Sequence, residues 1–167
     1  MSEFVGRTGS MRVYSYPEAP RGGAAALPFA RNFATGTKSG AAIGPSGLNI
    51  VWNAIDVGTD PSADVPITPL STGEVLVTGV VTLINNTGGT LLATVTVHLD
   101  GSAVPAPISA TSIPAGARVS IPFMAETEII SPLNEQHLIQ IFVDGDGLDT
   151  VADGSVINVQ EVPVSTG

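Results

Sequence analysis

Cysteine is absent from the 167 residues, which excludes a disulfide framework, a thiolate metal site and a cysteine nucleophile. Charge is scarce: charged residues make up 13% of the chain, and only six are Lys or Arg. A surface that grips phosphates needs a concentration of cations, so nucleic acid is not expected as a partner. No apolar run reaches the roughly 20 residues of a membrane-spanning helix, and no membrane partner is expected either. The residues that fill helix surfaces, Glu, Lys, Gln and Arg, are sparse, while Val, Thr, Ile, Gly and Pro are abundant. That balance predicts an all-β chain.

What is present is apolar. Hydrophobic residues make up 43% of a chain that is about one domain long. The surplus of apolar surface is read as subunit interface, with a monomer of unusually apolar core as the alternative. The N-terminus lacks the basic region and continuous apolar core of a secretion signal, so the chain is expected to be made and used without export by that route.

Net charge becomes informative when the chain is divided. Residues 1–47 carry five cations, Arg7, Arg12, Arg21, Arg31 and Lys38, against Glu3 and Glu18, a net of +3. The remainder carries Arg118 against thirteen acids, a net of −12. Residues 1–47 are also rich in Gly and Pro and show no sustained hydrophobic period, so alone they cannot offset their ordering entropy. They nevertheless hold Tyr14, Tyr16, Phe29 and Phe33. Anchors spaced along a basic, breaker-rich chain point to an extended arm over 1–47 that orders on an acidic surface, either a neighbour's body or a larger assembly. A merely solubilising tail is the alternative. Fully extended, the arm reaches about 150 Å at roughly 3.3 Å per residue.

The folded body is expected over 48–167. Leu48 to Val57 reads as its first strand and contains Trp52, a core or interface anchor by default and a sugar-stacking platform as the alternative. Glu74–Ile84 and Leu91–Leu99 flank Asn85-Asn86-Thr87-Gly88-Gly89, which reads as a hairpin whose turn supplies positive φ. The first run is apolar on both faces: Val75, Val77, Val81 and Leu83 point one way, Leu76, Val80 and Ile84 the other. The second alternates cleanly, Val95, Val97 and Leu99 against Thr94, Thr96 and His98. A two-faced strand needs a second layer or a partner, so Leu76, Val80 and Ile84 are candidate subunit-interface residues. Further strands are expected over Val119–Met124, with Val119, Ile121 and Phe123 on one face, over His137–Val143, and over Gly154–Val162. About eight short antiparallel strands with regular turn signals predict a sandwich or barrel.

Candidate chemistry is thin. His98 and Asp100 would project to one side if their strand continued, yet no nucleophile motif or oxyanion loop accompanies them. Asp144-Gly145-Asp146-Gly147-Leu148-Asp149 could offer carboxylates to calcium, but it lacks the helix-flanked twelve-residue loop, and Asp-Gly is a common turn signal. No phosphate loop or dinucleotide fingerprint occurs. No catalytic residue, metal site or cofactor is expected, and the chain is not read as an enzyme.

From Thr72 onward the order "TGEVLVTGVVTLINNTGGT", "VTVHLDG", "IPAGARVSIPF", "HLIQIFVDGDG" and "GSVINVQEV" resembles the trimeric jelly-roll family related to tumour necrosis factor, a pattern frequent in structural proteins of tailed bacteriophages. The resemblance covers roughly 95 residues and lies in strand rhythm and turn chemistry. It implies a jelly-roll β-sandwich of about eight strands, three copies packed through apolar sheet faces. A basic arm on such a domain resembles capsid decoration or cement proteins. This implies a homotrimer on the outer capsid surface of a virion, made in the host cytoplasm, whose partner is the major capsid protein. The arm residues Arg7, Arg12, Tyr14, Tyr16, Arg21, Phe29, Arg31, Phe33 and Lys38 would contact the shell. A head-fibre or receptor- or glycan-binding module is the alternative.

Overall fold

A computed structural model describes residues 31–55, 61–69, 73–106, 109–129 and 135–163. Eleven strands occur within them: β1 (Arg31–Thr37), β2 (Leu48–Asn49), β3 (Trp52–Ile55), β4 (Val65–Ile67), β5 (Gly73–Ile84), β6 (Leu91–Leu99), β7 (Ser102–Ala103), β8 (Ser109–Ile113), β9 (Arg118–Ile129), β10 (His137–Asp144) and β11 (Asp149–Pro163). One sheet has the order β3-β1-β11-β5-β9; the other runs β2-β10-β6-β7, with β4 on β10 and β8 on β6. Every ladder is antiparallel. From β5 onward the chain repeatedly crosses between sheets, β5 to β6, β8 to β9 and β10 to β11. The chain is therefore an all-β jelly-roll sandwich, as its strand rhythm implies.

The alternating pattern decides which residues fill the space between the sheets. Val75, Val77, Val81 and Leu83 of β5, Ile121, Phe123 and Ala125 of β9, and Ile157 and Val159 of β11 are buried against Ala93, Val95 and Val97 of β6 and Ile139, Ile141 and Val143 of β10. Each fully buried Val or Ile contributes on the order of 1.5–3 kcal/mol relative to exposure. Gly79 interrupts the inward row of β5 for a steric reason. A Cβ there would lie 2.3 Å from the Val156 carbonyl oxygen and 2.4 Å from the Phe123 ring. The ring occupies the volume that a larger residue at 79 would need.

Three expectations need correction. First, β5 and β6 are not a hairpin. Both edges of β5 are taken, by β11 and β9, and β6 pairs in the other sheet. The Asn85–Thr90 connection crosses between sheets, and neither Gly88 nor Gly89 has positive φ. The tight hairpin follows β6 instead. Asp100 (φ 49°) and Gly101 (φ 81°) turn the chain so that Leu99 faces Ser102, the two-residue arrangement with positive φ at both central positions. Second, Leu48–Val57 is not one strand: β2 pairs with β10 in one sheet and β3 with β1 in the other. The chain changes sheets where Ile50 N–H donates to Ile141 O (2.8 Å) and Trp52 N–H to Ser62 O (2.8 Å). Third, part of the stretch 1–47 is sandwich. Residues 31–37 form β1 between β3 and β11, and Ala34 is buried in the core.

The connection after β5 is held by a buried amide. Asn85 donates its Nδ2–H to Gly89 O (2.7 Å) and Ile113 O (2.8 Å), and its Oδ1 accepts from Thr87 N–H (2.9 Å) and Thr87 Oγ1 (2.7 Å). Its backbone N–H donates to Ala117 O (2.9 Å), and its carbonyl accepts from Gly116 N–H (2.7 Å). The residue therefore ties the β5–β6 passage to the β8–β9 passage. Removing the amide leaves the buried Ile113 carbonyl without this partner, at a cost of about 1–3 kcal/mol, and also breaks the part-buried bonds to Gly89 and Thr87. Asn85→Ala is expected to lower unfolding stability by about 3 kcal/mol, measured as a shift of the urea midpoint at unchanged slope.

Candidate interface on the five-stranded sheet

With the odd-numbered residues of β5 facing the core, its even-numbered ones project from the outer face of the sheet. The register extends that face across four strands. One row runs Arg31, Gln160, Leu76, Glu126; the next, Phe33, Asn158, Thr78, Met124; the next, Thr35, Val156, Val80, Pro122. Beyond the first row lie Val162, Glu74 and Glu128, and beyond the last lie Thr82 with Ser120. Its apolar side chains are incompletely covered and interleaved with polar ones: Leu76, Val80, Val156 and Val162 are half-buried, Phe33 is 37% exposed and Met124 64%, while Asn158 and Thr78 stand in the middle of the central row. Beside β9, the edge strand, a cavity of about 220 Å³ is lined by Leu76, Met124 and Glu126 together with Pro105, Ala106 and Ala125. Exposed Phe33 and Met124 with half-buried Leu76, Val80 and Val156, set among polar side chains, give the face the mixed composition of a protein contact surface.

The charges at its two ends differ. At the Ile84 end, Arg118 donates to the Asp153 carbonyl (2.6 Å) and carboxylate (3.1 Å), closing its charge within the protomer. This loop is an insertion in β11, since Val151 opposes Thr82 but Val156 opposes Val80. Ser155 Oγ repairs the interrupted ladder by accepting from Thr82 N–H (2.9 Å) and donating to Val151 O (2.9 Å). At the other end Glu74 stands directly opposite Glu128, with Glu126 one step along β9. The hydrogen bond with Glu126 and that residue's negative charge, followed by burial and the charge of Glu128, raise the Glu74 carboxyl above its usual range.

Leu76, Val80 and Ile84, the residues singled out on β5, all lie on this face and are half-buried. Two residues assigned to the arm, Arg31 and Phe33, join them there. Lys38 is exposed in the turn after β1, where its N–H donates to Val51 O (2.8 Å) and its carbonyl accepts from Thr150 Oγ1. Arg7, Arg12, Tyr14, Tyr16, Arg21 and Phe29 lie outside the described residues. Pro122, Met124 and Val156 were missed by sequence reasoning. Their signal was the position alternating with Val119, Ile121 and Phe123 on β9, and with Ile157 and Val159 on β11.

Other candidates resolve into structure. Asp100 does not pair with His98. Its carboxylate meets His137 Nδ1 (2.8 Å) and accepts from Leu138 N–H (2.8 Å), while His98 stacks on Phe142 with ring centroids 5.5 Å apart. Burial pushes the Asp100 carboxyl up, but the bonds from His137 and Leu138 N–H, with the histidine's charge, outweigh it and hold the group below its ordinary value. Trp52 is fully buried, which removes the sugar-platform reading. In the Asp144–Asp149 segment, Asp149 accepts from Asn86 Nδ2 (2.8 Å), and the segment crosses between sheets rather than closing a hairpin. Among the described residues no group of three or more His, Cys, Asp or Glu could hold a metal ion.

The raised Glu74 carboxyl has a definite pH signature. A carboxyl whose pKa is higher in the folded state destabilises that state at pH above the folded value, and the penalty disappears as pH falls to the unfolded value. Glu74→Gln is expected to raise Tm at about pH 7 and to leave it nearly unchanged near pH 4, as scanning calorimetry at the two pH values would record.

No family model and no curated protein matches the sequence. Solved structures with a similar chain path include Eiger TNF from S. frugiperda, at 13% identity over 84% of this chain and 96% of that one, TM-score 0.48. They also include murine APRIL at pH 5.0, at 12% identity over 81% of this chain and 100% of that one, TM-score 0.48, and murine APRIL at pH 8.0, at 11% identity, 81% and 100% coverage and TM-score 0.47. The jelly-roll assignment rests on the strand pairing and sheet order of this chain.

Proposed function

We propose that this chain is a structural virion protein, a capsid decoration trimer. In this reading the sandwich sits on the outer head surface, and the segment before β1 contacts the major capsid protein. The observation that carries it is the outer face of the five-stranded sheet, which leaves Phe33, Leu76, Val80, Met124 and Val156 exposed or half-buried on a chain with few charges. Packing three copies through such faces buries apolar area at roughly 25 cal/mol per Å² before the cost of association is deducted. The division of charge supports the second part of the reading. Residues 1–30 hold Arg7, Arg12 and Arg21 with the aromatic anchors Tyr14, Tyr16 and Phe29, and the chain after Lys38 carries thirteen acids against Arg118.

The mechanism is mechanical. An apolar, cationic segment laid across a joint between shell subunits buries side chains that neither subunit covers alone. The trimer supplies three such segments at once, so attachment gains from multivalency.

The test removes residues 1–30 and keeps β1, because a cut at Gly47 would delete the strand between β3 and β11. The shortened protein is expected to retain the Tm of the full chain and its assembly, while binding to empty heads in co-sedimentation falls by at least about tenfold, the loss of one or two buried anchors per segment. Undiminished decoration by the shortened protein would contradict the arm's role.

A further inference from the structure

The outer face carries an unbalanced pattern of charge that the protomer does not resolve internally. Arg31 lies on β1 and Glu126 on β9, in one cross-strand row with Gln160 and Leu76 between them. Three strand spacings separate them, about 14 Å, too far for the two side chains to meet. The described residues contain two ion pairs, Arg118–Asp153 and His137–Asp100, and neither involves Arg31, Glu74, Glu126 or Glu128. Arg31 is nevertheless held in place, because its Nε–H donates to Asn158 Oδ1 (3.1 Å). That bond leaves both terminal nitrogens of the guanidinium free to grip a carboxylate end-on.

We propose that this face is keyed by charge to a second copy of the chain, with Arg31 of one copy seated among Glu74, Glu126 and Glu128 of the next. The inference rests on the reading of this face as an interface between copies. Carboxylates drawn into an apolar contact without a cation incur a large desolvation cost. The described part of the chain has three basic residues to offer: Arg118 is committed to Asp153, Lys38 lies in the turn after β1, and Arg31 stands on the face itself. In a head-to-tail ring, the β1 flank of each copy meets the β9 flank of its neighbour. The cationic and acidic ends of the row are then brought together around Leu76 and Met124, whose apolar surroundings exclude water and strengthen the pair. The repulsion among Glu74, Glu126 and Glu128 in the lone protomer is relieved by the same contact.

The test is a charge exchange in the full-length chain, read by sedimentation equilibrium of wild type, Arg31→Glu, Glu126→Arg and the double variant. Circular dichroism melts confirm that each is folded, and Arg31→Gln serves as a milder substitution. Each reversal is expected to raise the subunit dissociation constant by about tenfold or more, and the double variant to return to within about threefold of wild type. Added salt should weaken the wild-type assembly and leave the Arg31→Gln assembly less affected. A double variant no tighter than the product of its two singles would overturn the pairing while leaving a trimer intact. So would an Arg31→Glu variant that assembles normally while removal of residues 1–30 dissociates the particle, which would give the acidic corner to Arg7, Arg12 or Arg21. A dimer with the exchange rescued would uphold the pairing and refute the threefold reading. A wild-type chain that stays monomeric at high concentration would overturn both.

Discussion

The buried amide of Asn85 ties together the places where the chain leaves one sheet for the other. Its side chain and backbone bind the β5–β6 connection to the β8–β9 connection, and the next residue, Asn86, reaches Asp149 at the start of β11. A jelly roll depends on such passages, because, the β6–β7–β8 run apart, strands adjacent in sequence sit in opposite sheets and no short hairpin fixes their register. Each passage brings backbone groups into the interior that water does not reach, and each must find a partner. One amide with two donors and an acceptor satisfies the buried Ile113 carbonyl together with the part-buried Gly89 carbonyl and Thr87 N–H. The two sheets are thereby held at one end while the Val and Ile rows close the space between them.

That arrangement explains why β5 is apolar on both sides. It is flanked by β11 and β9 along its length, so its edges are occupied and only its faces remain. The inward face, with Gly79 making room for Phe123, meets the core. The outward face, Leu76, Val80 and Ile84, has no second layer among the described residues. Its neighbours on β1, β9 and β11 add Phe33, Met124 and Val156, interleaved with Asn158 and Gln160, and the charged groups lie toward its two ends. A sheet face so composed is stable in water chiefly when covered, which links the strand pattern to assembly and assembly to the proposed role on a shell.

Much of this was legible in the sequence, because burial imposes a period of two. Val95, Val97, Ile139, Ile141, Val143, Val119, Ile121 and Phe123 all face where alternation put them, and the outward set on β5 followed from the same rule. Pairing was not legible, since alternation fixes which side a residue faces and not which strand lies beside it. Asn85-Asn86-Thr87-Gly88-Gly89 has hairpin composition, yet its first residue is a buried structural amide. The clue was the Asn-x-Thr spacing, whose side chain bonds the backbone two residues on. β1 was hidden for a related reason: Arg31, Phe33 and Thr35 face outward, and Gly36 with the small Ala34 leaves no apolar run, so a sheet strand read as arm. Met124 and Pro122 were overlooked because a proline in a strand suggests an end, whereas at an edge strand its missing N–H costs little.

The proposed assembly requires the outer face of the five-stranded sheet to be covered in the native particle. Met124, 64% exposed in the protomer, reports on it directly. The rate of its oxidation to the sulfoxide by peroxide, followed by peptide mass spectrometry across a range of protein concentrations, measures whether that thioether meets solvent. Coverage of the face predicts oxidation that slows as concentration drives assembly and that approaches the unfolded-chain rate on dilution or denaturation. A rate for Met124 that is fast and independent of concentration would contradict it.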